Sequence, residues 1–448
     1  MSSPDFEHRD ALPHGPAHRR GAGLNPGNRF ETTRLHVSGE HYQHQHDAAR
    51  WEREGQEADD HASAGGRGSG SQKTTEGGGT SGGEITSGGG PVRVPLEVIP
   101  DATRSIINRV DRTSDVPFDW TLNPYRGCEH GCIYCFARPY HEYLGYSCGL
   151  DFETKLVAKH DAPEMLRREL ARPSWKAEPI VMSAITDIYQ PIEYRLRLAR
   201  RCLEVLAECG QPVSTMTKSA LVLRDLDLWS AMSRRGTGRV TVTLVTLDDQ
   251  LAKTLEPRAA SPARRLRVIR ELAGAGVDVS VNVAPVIPGL TDSEVPRILE
   301  AVAAAGATRA AWVLLRLPYQ LKALFLDWLE RSVHPDRARK VESLIRQARG
   351  GLLYRSGFPR GTAPGVDDDT SRMVATRDTA TSRNPVAALP GDAGRRDHDR
   401  YRGEGPRAEQ IGQAFALYCR KYGLNRDVRS LTREHFRPPA LGGQMTLF

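Results

Sequence analysis

The segment with the most evident chemistry is a short polar stretch that carries three of the seven cysteines of the chain. Cys128, Cys132 and Cys135 are separated by three and then two residues, and Tyr134 stands directly before the third cysteine. This spacing lets three thiolates converge on one object with no helix or strand between them. Glycines in the same stretch allow the backbone to turn sharply between the sulfurs.

Three sulfurs are one ligand short of a closed metal site, because a structural zinc or an electron-transfer iron–sulfur cluster normally takes four protein ligands. One interpretation is a [4Fe–4S] cluster with one iron left open for a small molecule. The other is a zinc knuckle that takes its fourth ligand from Cys148, His130 or His141. The spacing by itself leaves both interpretations open.

The pattern CxxxCxxC, with an aromatic residue before the last cysteine, resembles the cluster loop of the radical S-adenosylmethionine (SAM) enzymes. The resemblance implies that Cys128, Cys132 and Cys135 bind a [4Fe–4S] cluster and that Tyr134 packs near the adenine of SAM. It implies further that the open iron chelates SAM, and that one electron cleaves a C–S bond to yield a 5′-deoxyadenosyl radical. In such enzymes the cofactors carry the chemistry and the protein positions them.

Composition divides the 448 residues into four regions. Residues 1–90 hold few aliphatic and many Gly, Ser, His and Arg residues, so we predict that they are disordered and that their histidines lie in a solvated tail. Residues 91–355 are predicted to form the radical SAM core. Residues 356–403 are predicted to be a largely disordered insertion, and residues 404–448 a C-terminal helix and tail.

The sequence also indicates a compartment. No run of eighteen apolar residues predicts a membrane span, and the first residues lack the apolar stretch of a secretory signal. An odd number of cysteines in a long chain does not resemble a disulfide framework, and an oxygen-sensitive cluster needs a reducing environment. We therefore predict a cytoplasmic protein. The net charge of +7 is compatible with phosphate-rich partners, although an arginine-rich composition produces the same balance without any such role.

Strands and helices alternate regularly along the core. Six strands are predicted at residues 119–123, 180–185, 212–217, 240–245, 277–283 and 310–315, and helical periodicity follows each of them. Alternation of this kind predicts βα units and a parallel sheet. Six strands are too few for a complete eight-stranded barrel, and they match the partial (β/α)6 barrel of the radical SAM family. We also predict an accessory strand over residues 151–158 and single helices over residues 136–143 and 192–209.

In a parallel βα fold the reactive side chains follow the C-terminal ends of the strands. Ser183, Thr186 and Asp187 follow the second strand, where the radical SAM family often has a Gly-Gly-Glu turn that holds the SAM amino group. Their oxygens are candidate acceptors for that ammonium group. Alternatively, Thr186 or Asp187 caps the following helix.

The later strand ends carry further candidates for cofactor binding. Lys218 is placed to meet the SAM carboxylate or a substrate phosphate, and Arg258 to bind a carboxylate or phosphate with two hydrogen bonds. A solvated lysine and a surface ion pair are the alternatives. Asn282 lies in the strand that presents backbone groups and apolar surface to adenine. Arg316 and Tyr319 end the sixth strand, where a tyrosine can relay a hydrogen atom or simply pack.

Several other segments resemble the radical SAM branch that includes spore photoproduct lyase: residues 123–128, 186–187, 217–219, 256–257 and 284–286. That lyase repairs a thymine dimer in DNA and uses an additional cysteine, after the second strand, as hydrogen donor. The matching region of this chain, residues 182–189, contains no cysteine. Within the branch, the chain is similar to a group of bacterial proteins whose reaction is unassigned.

The last five residues, 444–448, resemble the pentapeptide through which bacterial proteins bind the sliding clamp. Gln444 corresponds to its glutamine anchor, and Leu447 and Phe448 to its apolar pair. We therefore expect the clamp as a possible partner, with a tail that folds back on the barrel as the alternative.

Taken together, these patterns predict a radical SAM enzyme that receives electrons from a reducing donor and acts on a large substrate such as DNA or another nucleic acid. A lyase-like DNA repair reaction is one form of this hypothesis. The alternatives are a DNA- or clamp-associated module with a structural cluster or zinc, and a radical enzyme that modifies a protein or tRNA.

Overall fold

The structure is a computed structural model, which describes residues 20–30, 94–110, 118–354 and 401–440. Several predicted features therefore lie outside the described residues. They are most of the predicted disordered region, which includes the histidines at 41, 44 and 46, most of the predicted insertion, and the clamp-like residues Gln444, Leu447 and Phe448.

The described residues form two sheets. The strands are β1 Glu97–Pro100, β2 Ile107–Arg109, β3 Trp120–Leu122, β4 Tyr125–Arg126, β5 Lys155–Ala158, β6 Ile180–Met182, β7 Val213–Thr217, β8 Gly238–Thr243, β9 Val279–Val286 and β10 Arg309–Leu314. The larger sheet has the order β10-β9-β8-β7-β6-β3-β2, and all of its neighbours are parallel except β2 and β3. Its six parallel strands confirm the predicted partial (β/α)6 architecture, and no pairing between β10 and β2 closes the sheet among the described residues.

The strands expose one face and bury the other, as their sequences require. In β9, Val279, Val281 and Val283 are buried, whereas Ser280 and Asn282 are partly exposed on the opposite face. Because successive side chains of a strand point to opposite faces, the valines pack against the surrounding helices. The polar residues line the inner, concave side of the sheet.

The helices that cover the sheet are mostly where helical periodicity predicts them. They are α1 Asp151–Thr154, α2 Ala162–Leu170, α3 Glu193–Leu196, α4 Leu198–Cys209, α5 Leu226–Arg234, α6 Asp249–Leu255, α7 Pro262–Gly274, α8 Val295–Ala304, α9 Leu321–Ser332, α10 Pro335–Gln347 and α11 Pro406–Lys421. No helix of the described residues combines the length and apolar character needed to cross a lipid bilayer.

Three predicted elements differ from the structure. The single helix predicted over residues 192–209 is two helices. The first ends because Arg197 adopts a left-handed conformation (φ 52°). The second begins where the Glu193 carboxylate accepts hydrogen bonds from the N–H groups of Ala199 and Arg200. The predicted strand over residues 151–158 begins as the helical turn α1. The helix predicted over residues 136–143 is the 3-10 helix Arg138–Leu144.

The prediction of disorder over residues 1–90 is wrong for residues 20–30. This segment, which we call the N-terminal segment, donates hydrogen bonds from Gly21 and Ala22 to the Glu153 carboxylate, at 3.0 and 2.9 Å. Its Asn28 amide donates to the Glu142 carbonyl at 2.7 Å. The segment is poor in apolar residues, so composition indicated disorder, but its backbone is held by polar partners far away in the chain.

After α11 the chain crosses the N-terminal ends of the strands, and we call residues 423–437 the C-terminal strap. The Asn425 side chain bonds both backbone groups of Ala310 in the edge strand β10, at 2.9 Å each. Further along, the N–H of Arg437 donates to the Cys209 carbonyl, before β7, at 2.8 Å. The strap thus satisfies polar backbone groups at the end of the barrel that lies opposite the C-terminal ends of the strands.

Replacing Gly210 tests how tightly the strap is held. Gly210 has φ 64°, and an added Cβ would meet the backbone of His435 in the strap. Gly276 has φ 77° in the corresponding loop before β9, with no atom within 4 Å of an added Cβ. Backbone strain alone should cost about 1–2 kcal/mol in each alanine variant. We expect Gly210→Ala to lose clearly more free energy of unfolding than Gly276→Ala in urea denaturation. Equal losses would show that the strap is loosely attached.

Candidate functional site

The cysteine loop, residues 123–137, begins at the C-terminal end of β3, where the parallel fold places reactive groups. Before the first cysteine the chain forms β4, which pairs with β5 in the smaller sheet. The N–H of Cys128 then donates to the Phe152 carbonyl at 2.9 Å, and Gly127 turns the backbone with φ 78°. The loop is therefore anchored immediately before its first sulfur.

The three cysteines share one environment. All three are free thiols; Cys128 and Cys132 are buried and Cys135 is partly exposed. Burial raises the pKa of Cys128 well above its usual value, and Asp187, Cys132 and Cys135 add to the increase because their negative charges oppose a further one. Burial likewise raises the pKa of Cys132 to about 12, although Lys218 opposes the increase. The three thiols are therefore close enough to influence one another's ionisation, and their binding of a cluster stays a prediction.

Two loop residues between the cysteines connect the loop to distant elements. Glu129 accepts from the N–H of Ile192 at 2.6 Å, and its other oxygen pairs with Arg258 at 2.8 Å. His130 Nδ1 lies 3.2 Å from Asp187 Oδ2. Arg258 thus binds a carboxylate of the protein itself, which corresponds to the ion-pair alternative for this residue.

The polar residues after β6 also hold the loop. Thr186 donates from Oγ1 to the Gly127 carbonyl at 2.6 Å. Asp187 accepts from Thr217 Oγ1 and from the N–H groups of Lys218 and Tyr189, in addition to its contact with His130. Burial opposes its charge, but these partners lower the pKa of Asp187 below its ordinary value. With these four partners, Asp187 has few acceptor sites left for an ammonium group.

Ser183 lies at the same strand end but is engaged differently. Its hydroxyl shares a 2.8 Å hydrogen bond with Thr215 of β7, and its backbone has φ 79°. Ser183, Thr186 and Asp187 are therefore near the cysteine loop, as predicted, and each has a partner within the protein. Their binding to SAM stays a prediction.

A buried network of charged residues surrounds the second cysteine. The Tyr134 hydroxyl donates to Glu256, and Glu256 forms an ion pair with Arg265, with all three side chains almost fully buried. Lys218 Nζ lies 5.8 Å from the centre of the Tyr134 ring. Burial opposes the charge of Lys218, but Cys132 and Glu256 outweigh it and raise the pKa of the lysine. Around Cys132, two cations thus face one carboxylate, whereas Asp187 brings a negative charge to Cys128.

Sequence reasoning missed part of this network. Arg265 lies within the helix α7 and carries no signal that separates it from a surface arginine. Glu256 is part of the segment at 256–257 that resembles the spore photoproduct lyase branch, but its pairing with Tyr134 spans 122 residues. Arg138 was also missed: it is fully buried and donates to the carbonyls of Cys132 and Gly149 and to the Glu153 carboxylate. The Arg138–Glu153 pair therefore joins the loop to the N-terminal segment.

The donor set fits an iron–sulfur cluster with a bound SAM molecule. Three thiols next to Lys218 provide ligands and balancing positive charge. Asn282 Oδ1, on the inner face of β9, is buried with no hydrogen-bond partner among the described residues, so the sheet offers an unused acceptor. Among the described residues no three Cys, His, Asp or Glu side chains are close enough to hold one metal ion. A four-iron cube is larger than a single ion and holds its thiolates at separate corners, so it accepts thiols that lie farther apart.

The alternative fourth ligands for a zinc ion have other partners. Cys148 Sγ lies 3.3 Å from Gln320 Oε1, and His130 contacts Asp187. His141 packs between the rings of Tyr146 and Phe152, at 5.3 and 5.6 Å between ring centres. Burial lowers the pKa of His141 to about 4. Each of these side chains thus has a contact of its own in the structure.

Comparison with known proteins identifies the family. The model of the Radical SAM superfamily matches residues 122–302, which include all three cysteines and the strands from β6 to β9. The chain belongs to the radical SAM superfamily. It is therefore a radical SAM enzyme, and its cofactors are those of the superfamily, a [4Fe–4S] cluster and SAM.

Relatives of this chain include proteins from a bacterium and from a bacterial virus. An uncharacterized protein of Mycobacterium tuberculosis is 39% identical over 266 residues, which cover 58% of this chain and 77% of the relative. A radical SAM Nalpha-GlyT isomerase of Pseudomonas phage M6 is 24% identical, covering 51% of this chain and 46% of the relative. Among solved structures, a spore photoproduct lyase mutant aligns with a TM-score of 0.43 and 16% identity over 73% of this chain and 80% of that one.

The contact between the 3-10 helix and the N-terminal segment predicts a pH effect. The Glu142 side chain is fully buried, and its nearest cation is Arg29, whose Nε lies 3.1 Å away. Burial raises the pKa of Glu142 from 4.5 to about 7, although Arg29 opposes the shift. The folded state thus keeps a proton that the unfolded chain releases, so the free energy of unfolding should fall as pH rises from about 4.5 to about 7, by roughly 3 kcal/mol.

Glu142→Gln should remove this dependence, because the amide is neutral at every pH. We expect the variant to unfold at higher urea concentration than the unchanged protein at pH 8, and at a similar concentration at pH 4.5. Glu164→Gln, at a surface position with 57% exposure, serves as the matched control. The prediction is wrong if the difference between Glu142→Gln and the unchanged protein is the same at both pH values.

Proposed function

We propose that Cys128, Cys132 and Cys135 bind the [4Fe–4S] cluster of this radical SAM enzyme, and that the resulting radical acts on a large substrate, namely a nucleic acid. The observation that carries the proposal is the shared environment of the three thiols beside Lys218, at the C-terminal ends of the strands. When bound, the cluster supplies the electron that cleaves SAM to a 5′-deoxyadenosyl radical.

The residues of the chain position the cofactors and exclude water. Arg138 holds the backbone of the cysteine loop, Asp187 holds it through His130, and Glu129 ties it to Ile192 and Arg258. Lys218 brings a positive charge to the ligands and to a bound SAM carboxylate, and Asn282 provides a free oxygen acceptor on the inner face of the sheet. Tyr134, held by Glu256, supports the adenine side.

The remaining predicted contacts with SAM have less support. Ser183, Thr186, Asp187 and Arg258 are all within reach of the loop, but each already has a partner in the protein. We propose that Thr186, Asp187 and Arg258 act by positioning the loop, and that Ser183 joins the end of β6 to β7 through Thr215. A contact with SAM at any of them requires its present partner to be exchanged.

The choice of a nucleic acid as substrate rests on two observations. The chain carries a net charge of +7, which favours phosphate-rich partners. Among the described residues no pairing between β10 and β2 closes the seven-stranded sheet, so a polymer can approach its inner face. A lyase-like DNA repair reaction is one form of the proposal, and modification of tRNA is another.

The proposed ligation by Cys128, Cys132 and Cys135 is tested by replacing one of these three cysteines and, separately, one cysteine that is not among them. After anaerobic reconstitution, Cys132→Ser should lose iron and should yield no 5′-deoxyadenosine with dithionite and SAM. Cys148→Ser, a buried cysteine nearby, should keep about four irons per chain and SAM cleavage. A single zinc per chain that is lost in Cys148→Ser would overturn the proposal and favour the structural zinc module.

We also propose the sliding clamp as a partner, through Gln444, Leu447 and Phe448. The support is the sequence motif, together with the course of the C-terminal strap, whose bond from Arg437 to Cys209 lies at the N-terminal ends of the strands. The bond from Arg437 thus lies at the end of the barrel opposite the cysteine loop.

This partner is tested with the full chain and purified bacterial clamp. Replacing Leu447 and Phe448 by Ala should weaken binding at least about 10-fold in calorimetry, because each apolar side chain contributes roughly 1.5–3 kcal/mol when buried. Leu441→Ala, outside the motif, should bind as the unchanged chain does. Unchanged binding in the double variant would refute the motif as the contact.

A further inference from the structure

Exposed aromatic side chains are concentrated in one region beside the cysteine loop. In the described part of the chain the exposed large aromatic residues are Tyr194 on α3 and a group in this region, Phe30, Phe136, Tyr140, Tyr143 and Tyr319. Exposed rings are unfavourable in water, so several of them in one place mark an interaction surface. The exposed large aliphatic residues Leu352, Leu417 and Val428 lie on other segments.

Four of these rings form a continuous row, which we call the aromatic row: Tyr140, Tyr143, Phe30 and Tyr319. The rings of Tyr140 and Tyr143 are 6.3 Å apart between centres, and those of Tyr143 and Phe30 are 5.0 Å apart. The guanidinium of Arg29 connects the row, because it lies 4.7 Å from the ring of Phe30 and 3.9 Å from that of Tyr319. The N-terminal segment therefore completes the surface.

Tyr319 is held in an unusual backbone conformation. Its φ of 50° lies in the left-handed region, which bulky residues rarely adopt. Such conformations persist where the surrounding structure holds them, and they are frequent at ligand-binding positions. The ring is nevertheless 38% exposed, so one face is packed on Arg29 while the residue remains accessible.

Arg316 lies beside the cysteine loop and, in the chain, three residues before Tyr319 of the row. Its guanidinium lies 4.8 Å from the rings of both Phe136, which directly follows Cys135, and Tyr401. Arg316 is only 9% exposed, and its Nε is buried with no hydrogen-bond partner among the described residues. The buried arginines Arg138 and Arg265 each pair with a carboxylate, whereas no carboxylate of the described residues pairs with Arg316. Its Nε is thus a hydrogen-bond donor that none of the described residues uses, beside the cysteine loop.

We propose that the aromatic row and Arg316 bind a single-stranded nucleic acid, with the bases stacked on the rings and a phosphate on Arg316. Bases stack on aromatic side chains and guanidinium planes whatever their sequence, and a guanidinium binds phosphate oxygens with two hydrogen bonds. In a duplex the bases already stack on one another, so only a single strand or an extruded nucleotide reaches the rings. This inference rests on the proposed function. It specifies that the nucleic acid is single-stranded and that the surface next to Cys135 binds it.

The rings are tested in the full chain by fluorescence anisotropy with a labelled single strand of about 12 nucleotides. The double variant Tyr140→Ala, Tyr143→Ala changes two residues that are 48% and 62% exposed, so its fold should be kept. We expect at least about 10-fold weaker binding, since each stacked base contributes substantially. Phenylalanine at both positions should preserve binding, and Tyr194→Ala, which removes an exposed tyrosine outside the row, should bind as the unchanged chain does.

Arg316 is tested through the salt dependence of the same binding. Arg316→Gln should weaken binding and reduce the slope of log K against log salt by about 1, as loss of one phosphate contact requires. The tyrosine variants should leave that slope unchanged, because stacking releases no counterions. The variant chains are compared by thermal melting, which shows whether Arg316→Gln has lost its fold. If it has, the test of the proposal is the binding of the double variant Tyr140→Ala, Tyr143→Ala.

The proposal is overturned if the unchanged chain prefers duplex to single strands, if it binds no nucleic acid, or if the tyrosine double variant binds as tightly as the unchanged chain. SAM cleavage by the reconstituted, unchanged chain without nucleic acid is measured in parallel. Cleavage with no binding refutes the nucleic-acid surface alone. Binding with no cleavage refutes the cluster and SAM chemistry alone.

Discussion

The cysteine loop is a buried segment with little regular secondary structure. The site therefore depends on hydrogen-bond partners for the backbone N–H and C=O groups of this loop. A helix or strand satisfies its own N–H and C=O groups, but a loop that is removed from water must find them elsewhere. Here the partners are side chains from outside the loop. Gln190 accepts from the N–H of Glu129, Arg138 donates to the Cys132 carbonyl, and Thr186 donates to the Gly127 carbonyl. An unpaired group at any of these places would cost about 1–3 kcal/mol.

The same contacts explain why so many conspicuous polar residues near the site have protein partners. An oxygen that holds the loop cannot at the same time bind a small molecule without giving up that bond. The charges nearest the thiols are arranged differently. Around Cys132, Lys218 and Arg265 face a single carboxylate, Glu256, so positive charge remains beside the second thiol. In a medium of low dielectric constant this residual charge acts strongly, because little water is present to screen it.

The two ends of the barrel have separate structural roles. At the C-terminal ends of the strands lie the cysteine loop and the N-terminal segment that supports it. At the N-terminal ends, the C-terminal strap pairs with the edge strand through Asn425 and continues to Cys209. Chain segments from both termini therefore reinforce a sheet that does not close on itself, and the inner face remains accessible.

By itself, the sequence determined the local features. Cys128, Cys132 and Cys135 lie within one short stretch, and each strand or helix is indicated by residues that are close together in the chain. Both the cysteine motif and the alternation of strands and helices were therefore predictable. The tertiary structure decided the contacts between residues far apart. Glu153 meets Gly21 across 132 residues, and Tyr134 meets Glu256 across 122. No local pattern signals such pairs, because a buried carboxylate and a surface carboxylate have the same chemical identity until the fold brings their partners together. For the same reason composition assigned residues 20–30 to a disordered region, although polar groups elsewhere in the chain hold them in place.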